Sequence, residues 1–264
     1  TFDSRKAEEG SVFVAIVGNL TDGHQFVQSA YDAGCRVFIV EQKIILPTDA
    51  TIIMVPKTDV ALADLACAFY GNPSKELKLI GITGTNGKTT TTTLLHDLFT
   101  NLGYSCGLIS TVVNKIGAQA SPSTHTTPDP IRLNALLRNM VNHGCTHCFM
   151  EVSSHGIHQK RTEALHFVGG VFTNLSHDHL DYHATFAEYR DVKKSFFDHL
   201  PKTAFALSNI DDKNGPVLLQ NTVAKKCTYA LKSYADYKAQ ILESQLSGLL
   251  LKINGHEVWV KLIG

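Results

Sequence analysis

The chain of 264 residues carries 24 basic and 24 acidic side chains, so its formal net charge is zero when histidine is neutral. Because the basic surface typical of nucleic-acid-binding proteins is missing, we expect no nucleic-acid partner. No apolar run reaches membrane-spanning length and no basic-then-apolar leader opens the chain, so we expect no membrane partner. The length of the chain is typical of a protein with two domains.

The chain begins with Thr1 rather than Met, and we expect the natural start to precede it.

The first part of the chain predicts a small α/β unit. Its predicted elements are strands 12–17, 37–40 and 51–55 and helices 26–33 and 60–70. The Gly-Asn-Pro-Ser stretch that follows is typical of a domain boundary. We therefore predict two domains, 1–73 and 74–264.

A glycine-rich turn between a predicted strand (77–82) and a predicted helix (91–102) is the most informative stretch. In this context backbone N–H groups and the helix dipole converge on phosphate, Lys88 adds a positive charge, and the Thr89 hydroxyl is placed to bind the Mg²⁺ that travels with ATP. Ile82 stands where the usual pattern has Gly or Ala, and a plain strand–turn–helix corner is the alternative. The predicted ATP-binding residues are Gly84, Thr85, Asn86, Gly87, Lys88, Thr89 and Thr90.

Strands and helices alternate beyond this loop. The predicted strands are 107–113, 148–152, 170–174 and 204–209, and the predicted helices are 130–142 and 186–200. Such alternation predicts a mostly parallel sheet with helices on both faces. Apolar runs at 249–253 and 257–262 flank Asn254-Gly255, which signals a hairpin with a primed turn. The sequence thus predicts an α/β protein, in which a small N-terminal α/β domain precedes a phosphate-loop ATPase-type domain with a terminal β-hairpin.

A carboxylate, Glu151, stands near the end of the predicted strand 148–152. Parallel sheets carry their active sites beyond the carboxyl ends of their strands, where the phosphate loop also lies. Mg²⁺ prefers hard oxygen ligands beside substrate phosphates, so Glu151 is a candidate magnesium ligand. A carboxylate that caps a helix or forms a salt bridge is the alternative.

The segment 174–183 holds three histidines and two aspartates. This composition raises the alternative of a zinc site, but the segment lacks the His-Glu-x-x-His spacing and cysteine pairs of such sites. One histidine that assists a magnesium–nucleotide site is favoured.

The predicted helix 186–200 places Tyr189 and Lys193 one turn apart on the same face. Composition alone predicts that Lys193 and Lys194 lie on a solvated face. The pattern itself therefore assigns Lys193 no chemistry.

Six cysteines are scattered along the chain, and Cys145 and Cys148 form a lone Cys-x-x-Cys. Zinc or redox chemistry is the alternative to ordinary buried thiols, which the apolar surroundings favour. We expect a reducing, cytoplasmic location.

Taken together, these stretches resemble the Mur ligases, and most closely the MurE branch, which adds the third amino acid to the peptidoglycan precursor. The matching segments are Asp3 to Arg5, Phe13 to Ala15, Asp22 to His24, Gly84 to Thr89, Thr126 to Pro128, Glu151 to His155, Asp178 to His183 and Asn209 to Asp212. The family's own loop explains Ile82. The phosphate loop is shared with folylpolyglutamate synthetases, whereas the segments 151–155 and 178–183 are particular to the MurE branch.

The resemblance implies roles for particular residues. Those implied to hold the uridine nucleotide are Ser4, Asn19, Leu20 and Thr21. Those implied to hold the sugar–dipeptide part of the acceptor are Thr126, Thr127, Ser153, Gln159 and Arg161. Those implied to surround Mg²⁺ are Thr89, Glu151, His179 and Lys193. Those implied to act in catalysis are Lys88, His179 and Lys193.

The resemblance also implies that Lys193 is the family's carbamylated lysine. Carbamylation turns a cation into an anion with two oxygens, which can hold a second Mg²⁺ that an ammonium group would repel. The loop at 19–21 differs from the His-Gln-Ala of some relatives, so we expect its contacts with uridine to be mostly through the backbone.

The implied activity is an ATP-dependent ligase that adds an amino acid to UDP-N-acetylmuramoyl-L-alanyl-D-glutamate through an acyl phosphate. We expect diaminopimelate rather than lysine, because it is commoner in the family, and we expect a monomer. The third domain of the family is expected to lie outside these 264 residues, so that this chain alone forms no product. The alternatives are a non-catalytic nucleotide-binding scaffold and a folate-type ligase.

Overall fold

The computed structural model describes residues 1–18, 21–176 and 182–261, and within these ranges the strands form one sheet of three strands and one of eleven. The smaller sheet is built before residue 55 and the larger one from Lys78 onward. Within the described ranges, no helix combines the length and apolar character that crossing a membrane requires.

The smaller sheet is parallel and lies in the N-terminal part of the chain. Its strands, in sheet order, are β1 (Val12–Val14), β2 (Val37–Val40) and β3 (Thr51–Met54). Its helices are α1 (Val27–Asp32) and α2 (Thr58–Phe69), with 3₁₀ turns at Ser4–Lys6 and Gly23–Phe26. The rings of Phe13 and Phe38 meet edge to face with centroids 6.3 Å apart. Val27 and Ala30 of α1 pack in the same buried cluster, which closes this unit.

The larger sheet is parallel through its centre. Its strands, in chain order, are β4 (Lys78–Thr83), β5 (Cys106–Ile109), β6 (Val113–Ile116), β7 (Gln119–Pro122), β8 (His147–Glu151), β9 (Gly169–Phe172), β10 (Phe205–Asn209), β11 (Lys225–Ala230), β12 (Tyr237–Gln245), β13 (Gly248–Ile253) and β14 (His256–Val260). The sheet order is β14-β13-β12-β11-β10-β9-β4-β8-β5-β6-β7. Pairing is parallel from β5 to β12 and antiparallel at both edges. The predicted α/β fold is confirmed.

Helices cover both faces of this sheet. They are α3 (Lys88–Asn101), α4 (Pro130–Asn142), α5 (Ser154–His158), α6 (Phe186–Asp198) and α7 (Gly215–Leu218). Successive side chains of a strand point to opposite faces, and β4 shows the result. Ile80 packs in a cluster with Phe99 of α3, whereas Leu79 packs in a cluster with Leu137 of α4 and Phe197 of α6.

The carboxyl ends of the central strands lie level with one another. Ile82 of β4 stands beside Glu151 of β8 and Val171 of β9. Because these strands are parallel, the loops that follow them meet at one edge of the sheet. That edge holds the candidate site.

Arg138 of α4 holds the segment that connects the two sheets. Its Nε donates to the Tyr70 carbonyl at 2.7 Å, and its Nη2 donates to the Gly71 carbonyl at 2.9 Å and to Glu76 at 2.7 Å. Ile131 of the same helix packs against the core of the smaller sheet. The rigid guanidinium fork therefore ties the connection to the larger sheet.

The prediction of one strand over 107–113 is wrong, because the chain turns back after Ile109 and forms β5 and β6. Ser110 closes the turn, since its Oγ donates to the Val113 carbonyl at 2.7 Å and accepts from the Val113 N–H at 3.1 Å. A serine that satisfies a nearby backbone in this way stabilises a turn. The apolar run of the sequence conceals it.

The predicted terminal hairpin is confirmed. β13 and β14 pair antiparallel, with Ile253 opposite His256. Asn254 and Gly255, which join them, have φ of +46° and +93°. A type I′ turn requires positive φ at both positions, and these two residue types tolerate it best.

Candidate active site

The glycine-rich loop lies between β4 and α3, as predicted. Gly87 precedes α3 with φ of +84°, and no side chain caps the N-terminus of that helix. The first N–H groups of a helix have no partner within the helix, so they and the helix dipole are available to an anion. Gly84 has φ of +148°, and a Cβ on it would collide with Thr173 Oγ1. The loop therefore requires glycine at Gly84.

Two lysine side chains reach the loop from different helices. Lys88 Nζ donates to the carbonyls of Gly84 at 2.9 Å and Thr85 at 2.7 Å. Lys193 Nζ donates to the same Gly84 carbonyl at 3.1 Å. Both ammonium groups therefore lie at the loop that precedes the N-terminus of α3.

Glu151 is buried beside the loop, and its carboxylate is held by hydroxyl and amide groups. Glu151 Oε1 accepts from Thr89 Oγ1 and from Thr111 N, both at 2.8 Å. Thr111 Oγ1 lies 3.1 Å from Glu151 Oε2 and 3.1 Å from Thr126 Oγ1. These contacts bring the predicted metal ligands Thr89 and Glu151 together and connect them to Thr126.

The predicted acceptor residues form a connected wall next to Glu151. Thr127 Oγ1 donates to the Glu151 carbonyl and accepts from Ser153 N, both at 3.0 Å. Arg161 Nη1 donates to the Thr127 carbonyl at 2.6 Å, and its Nη2 donates to Gln159 Oε1 at 2.6 Å. Burial lowers the pKa of the Arg161 guanidinium from its ordinary value. Arginine nonetheless stays charged, so this wall presents a cation.

Lys193 is buried, with 1% of its surface exposed, so the prediction of a solvated face is wrong. Its Nζ lies 4.7 Å from the centre of the Tyr189 ring, which confirms that the two residues share a helix face. Lys194 is also buried and pairs with Asp198 at 2.6 Å. The side of α6 that carries both lysines packs inward, which no single-residue pattern shows.

These groups line one cleft of about 610 Å³, a size typical of small-molecule sites. The predicted site residues that line it are Thr85, Asn86, Gly87, Lys88, Thr89, Thr90, Thr126, Thr127, Glu151, Ser153, Arg161 and Lys193. Gly84 and Gln159 do not line the cleft, but they accept hydrogen bonds from Lys88 and Arg161, which do. The cleft thus brings the predicted nucleotide, metal and acceptor residues together.

Two of the predicted uridine residues, Ser4 and Thr21, lie in the N-terminal part of the chain, and neither lines this cleft. Ser4 opens a 3₁₀ turn that Asp3 caps by accepting from Arg5 N at 3.1 Å. The Arg5 guanidinium beside Asp3 lowers the pKa of that carboxyl to about 2. The Thr21 carbonyl accepts from Gly18 N at 3.0 Å. The remaining two, Asn19 and Leu20, lie outside the described residues.

The metal predictions are only partly placed. His179 lies outside the described residues, as does the rest of 177–181. Among the residues that are described, no group of three or more His, Cys, Asp and Glu side chains is arranged to hold a metal ion. The cysteines are free, and burial raises the pKa of the Cys148 thiol. Cys145 is buried as well, and such thiols are unreactive, as the sequence predicted.

Sequence reasoning missed three residues of this region. Thr111 holds Glu151, but it falls within the wrongly predicted strand and carries no motif. Asn174 bonds the Asn86 peptide, and Tyr182 Oη accepts from Gln159 Nε2 at 3.1 Å. Asn174 and Tyr182 lie within the segment 174–183, whose three histidines drew attention instead.

Comparison with known proteins shows the family to which the chain is similar. A family model described as the Mur ligase middle domain matches residues 82–264, and one described as Mur ligase family, catalytic domain, matches residues 1–70. Among solved structures, one of a UDP-N-acetylmuramoyl-L-alanyl-D-glutamate–2,6-diaminopimelate ligase is 27% identical, with a TM-score of 0.84 over 98% of this chain and 54% of that one. MurF from Thermotoga maritima in complex with ADP is 22% identical with a TM-score of 0.63, which shows a shared fold. It covers all of this chain and 58% of that one.

Curated relatives carry the same ligase name. The protein of Phocaeicola vulgatus is 53% identical over 263 residues, which is 99% of this chain and 54% of the relative. That of Cytophaga hutchinsonii is 51% identical over 265 aligned positions, covering 100% of this chain and 54% of the relative. The chain thus spans about half the length of the curated relatives it matches. Since family models match both its N-terminal part and its larger sheet, the chain belongs to the Mur ligase family.

Proposed function

We propose that this chain is the uridine-nucleotide- and ATP-binding part of an ATP-dependent ligase that adds an amino acid to UDP-N-acetylmuramoyl-L-alanyl-D-glutamate. The observation that carries the proposal is the single cleft in which Lys88 and the start of α3 face Glu151 and Arg161. One wall offers groups for a phosphate chain and the other offers groups for an acidic acceptor. The names of the curated relatives support the identity of that acceptor.

The residues of the cleft fit ATP with magnesium. A Cβ at Gly87 would meet nothing within 4 Å, and the uncapped helix start behind it leaves its N–H groups to a phosphate. The Thr89 hydroxyl and the Glu151 carboxylate, 2.8 Å apart, are the hard oxygen donors that Mg²⁺ takes beside phosphate. When bound there, Mg²⁺ would neutralise charge on the phosphate oxygens.

The proposed reaction has two steps. The D-glutamate carboxylate attacks the γ-phosphorus of ATP, ADP leaves, and an acyl phosphate forms. The amine of the amino acid then attacks the acyl carbon, and the tetrahedral intermediate expels inorganic phosphate. Lys88 stabilises charge on the transferred phosphoryl group, and Arg161 with Thr126 holds the acceptor. Because positioning and charge neutralisation suffice, no nucleophilic side chain is required.

We propose a division of the chain at its connecting segment. Residues 1–73 hold the uridine nucleotide through Ser4 and the loop Asn19-Leu20-Thr21, and residues 74–264 hold ATP and the dipeptide. The clamp of Arg138 on the Tyr70 carbonyl supports this division, because it would keep the two binding regions at a fixed separation.

Lys193 is proposed to act as a carbamate. It lines the cleft beside the phosphate loop, although nearly all of its surface is buried. A carbamate at this position would bring two oxygens toward the metal region, and His179 would complete the ligands there. Its present bond to the Gly84 carbonyl would then be exchanged for new ones.

The amino acid is proposed to be diaminopimelate, as in the names of relatives that are 50–53% identical. We place the reaction in the cytoplasm, which the free and mostly buried cysteines support.

The experiment that tests the proposal is phosphate release by the full-length ligase. We expect inorganic phosphate to form at a sustained rate only when ATP, Mg²⁺, UDP-N-acetylmuramoyl-dipeptide and diaminopimelate are all present. Omitting either the dipeptide or the amino acid should reduce the rate to background. Binding of the nucleotides with no phosphate release under any combination would support the scaffold alternative, and turnover with a pteroate acceptor would support a folate-type ligase.

A further inference from the structure

The loop that follows β9 holds one residue of the phosphate loop, Asn86, by its backbone. Asn174 Oδ1 accepts from the Asn86 N–H at 3.0 Å, and Asn174 Nδ2 donates to the Asn86 carbonyl at 3.1 Å. One carboxamide thus pairs with both the N–H and the carbonyl of the same residue, as a neighbouring β-strand would. The two residues are 88 positions apart, so the contact belongs to the tertiary structure and not to the loop alone.

Thr173 also holds the backbone of Asn86. Its Oγ1 donates to the Asn86 carbonyl at 2.7 Å, and the next carbonyl, that of Asn174, accepts from Thr85 N at 2.8 Å. A Cβ at Gly84 would collide with this hydroxyl, so glycine there is what lets Thr173 reach the loop. The contacts fix the backbone from Gly84 to Asn86.

The residues that hold Asn86 do not line the cleft. Asn86 and Lys88 line the cleft, whereas neither Thr173 nor Asn174 does. A carbonyl oxygen carries partial negative charge, so an Asn86 carbonyl turned into the cleft would repel a phosphate chain. The bonds from Thr173 and Asn174 hold this oxygen on the β9 side and leave the following N–H groups to face the anion.

The end of β10 and the residues after it in turn hold the loop that contains Thr173 and Asn174. Asn209 Nδ2 donates to the Thr173 carbonyl at 2.9 Å, and Asp212 Oδ2 accepts from Leu175 N at 2.6 Å. Both side chains belong to the segment 209–212, which the sequence singled out and which the proposed reaction does not use. The loop that contains Thr173 and Asn174 is therefore attached to the central sheet through β9, which it follows, and through the bonds from the end of β10.

We propose that Thr173 and Asn174 are positioning residues that hold the phosphate loop in its ATP-binding shape and so set the affinity for ATP without touching it. The inference rests on the proposed function, in which ATP occupies this loop. In the described part of the chain, no hydrogen bond joins Thr127 or Arg161 of the acceptor wall to Thr173 or Asn174, so the effect should be specific to the nucleotide.

The test compares KM values of the full-length ligase with Thr173→Val and Asn174→Ala. Each variant removes hydrogen bonds to Asn86, and we expect the KM for ATP to rise roughly tenfold while kcat and the KM for UDP-N-acetylmuramoyl-dipeptide change less than about twofold. Thr173→Ser keeps the hydroxyl and should retain the parent KM for ATP. Asn142→Ala, at the exposed end of α4, is the control for loss of a carboxamide.

Hydrogen exchange gives a second readout that a general loss of stability would not imitate. Without nucleotide, the Asn86 amide should exchange faster in Asn174→Ala than in the parent, whereas amides of β8 should keep their rates. This measurement needs a folded protein but no activity, and it reads the Asn86 bond itself.

The outcomes separate this inference from the proposed function. Loss of ATP binding in Lys88→Ala, with an unchanged KM for ATP in Thr173→Val and Asn174→Ala, would overturn the positioning role and leave the proposed function standing. Equal increases in the KM values for both substrates would also overturn it, and so would a Thr173→Ser variant as weak as Thr173→Val. Unchanged ATP binding in Lys88→Ala would overturn both.

Discussion

Lys88 and Lys193 share the carbonyl oxygen of Gly84, at 2.9 and 3.1 Å from their Nζ atoms. The two lysines come from α3 and α6, and the fold brings them together over one residue of the phosphate loop. In the proposed site Lys88 keeps its ammonium group, which a phosphate chain complements. Carbamylation of Lys193 would replace its contact with Gly84 and turn the second lysine into a ligand for Mg²⁺.

Lys88→Ala is expected to remove most ATP binding. The substitution deletes a charge-assisted phosphate contact, which contributes on the order of 2–4 kcal/mol. Titration calorimetry of the 264-residue chain with ATP and Mg²⁺ measures it. Lys78→Ala, an exposed lysine of β4, should bind ATP as the parent does. An unchanged affinity in Lys88→Ala would refute the assignment of the loop.

Glu151→Gln is expected to weaken the binding of magnesium. The amide keeps the shape of the side chain but removes the charge that a divalent cation requires, so the Mg²⁺ concentration for half-maximal activity should rise roughly tenfold. Activity of the full-length ligase against Mg²⁺ concentration measures it, with the exposed Glu163→Gln as control. A magnesium curve that matches the parent would show that Glu151 is no ligand.

UDP is expected to bind the N-terminal part of the chain independently of ATP. Ser4 and Thr21 lie in the N-terminal part of the chain and do not line the cleft that holds Lys88. Titration of UDP into the isotope-labelled chain should shift the amide signals of Ser4 and Thr21 and leave that of Gly87 in place. If Gly87 shifts and Ser4 does not, the uridine assignment is wrong.

Asp211 is expected to stabilise the fold near neutral pH and to lose this effect in acid. Its carboxylate accepts from the N–H groups of Leu231 at 2.6 Å, Lys232 at 2.9 Å and Ser233 at 2.8 Å. The Lys232 bond and its neighbours lower the pKa of Asp211 below the ordinary 3.8. A lowered pKa means that the stabilisation is present above the unfolded value and disappears as pH falls through the folded value.

The measurement for Asp211 is the thermal midpoint of Asp211→Ala and the parent between pH 7 and strong acid. The parent should melt higher at pH 7, and the gap should narrow once the pH falls below about 4, where the unfolded carboxyl begins to protonate. Asp64→Ala, an exposed aspartate of α2, controls for a lost charge. A gap that widens on acidification would contradict the assignment.

Local signals explain what the sequence could predict. The helix predicted over 130–142 is found as Pro130–Asn142, because Asp129 caps it and Pro130 takes the first position. The phosphate loop was equally visible, since strand, glycine turn and helix are adjacent in the chain. Signals of this kind need no knowledge of which strands pair.

Contacts between distant segments explain the rest. Thr111 holds Glu151 because β5 lies beside β8, an arrangement that no local pattern specifies. Lys193 is buried because its face of α6 packs inward. The sequence alone does not show which face of the helix packs inward, so it predicts that a pair of lysines is exposed to solvent. The Asn174–Asn86 bond likewise depends on β9 lying beside β4.

The central claim is that a carboxylate is activated as an acyl phosphate and then joined to an amine. The most direct measurement supplies the full-length ligase with acceptor whose D-glutamate carboxylates carry ¹⁸O, together with ATP, Mg²⁺ and diaminopimelate. The released phosphate is then analysed by mass spectrometry. Because the attacking carboxylate oxygen leaves with phosphorus when the amine displaces it, the account predicts one ¹⁸O in each phosphate formed. Amide product accompanied by phosphate without ¹⁸O would contradict it.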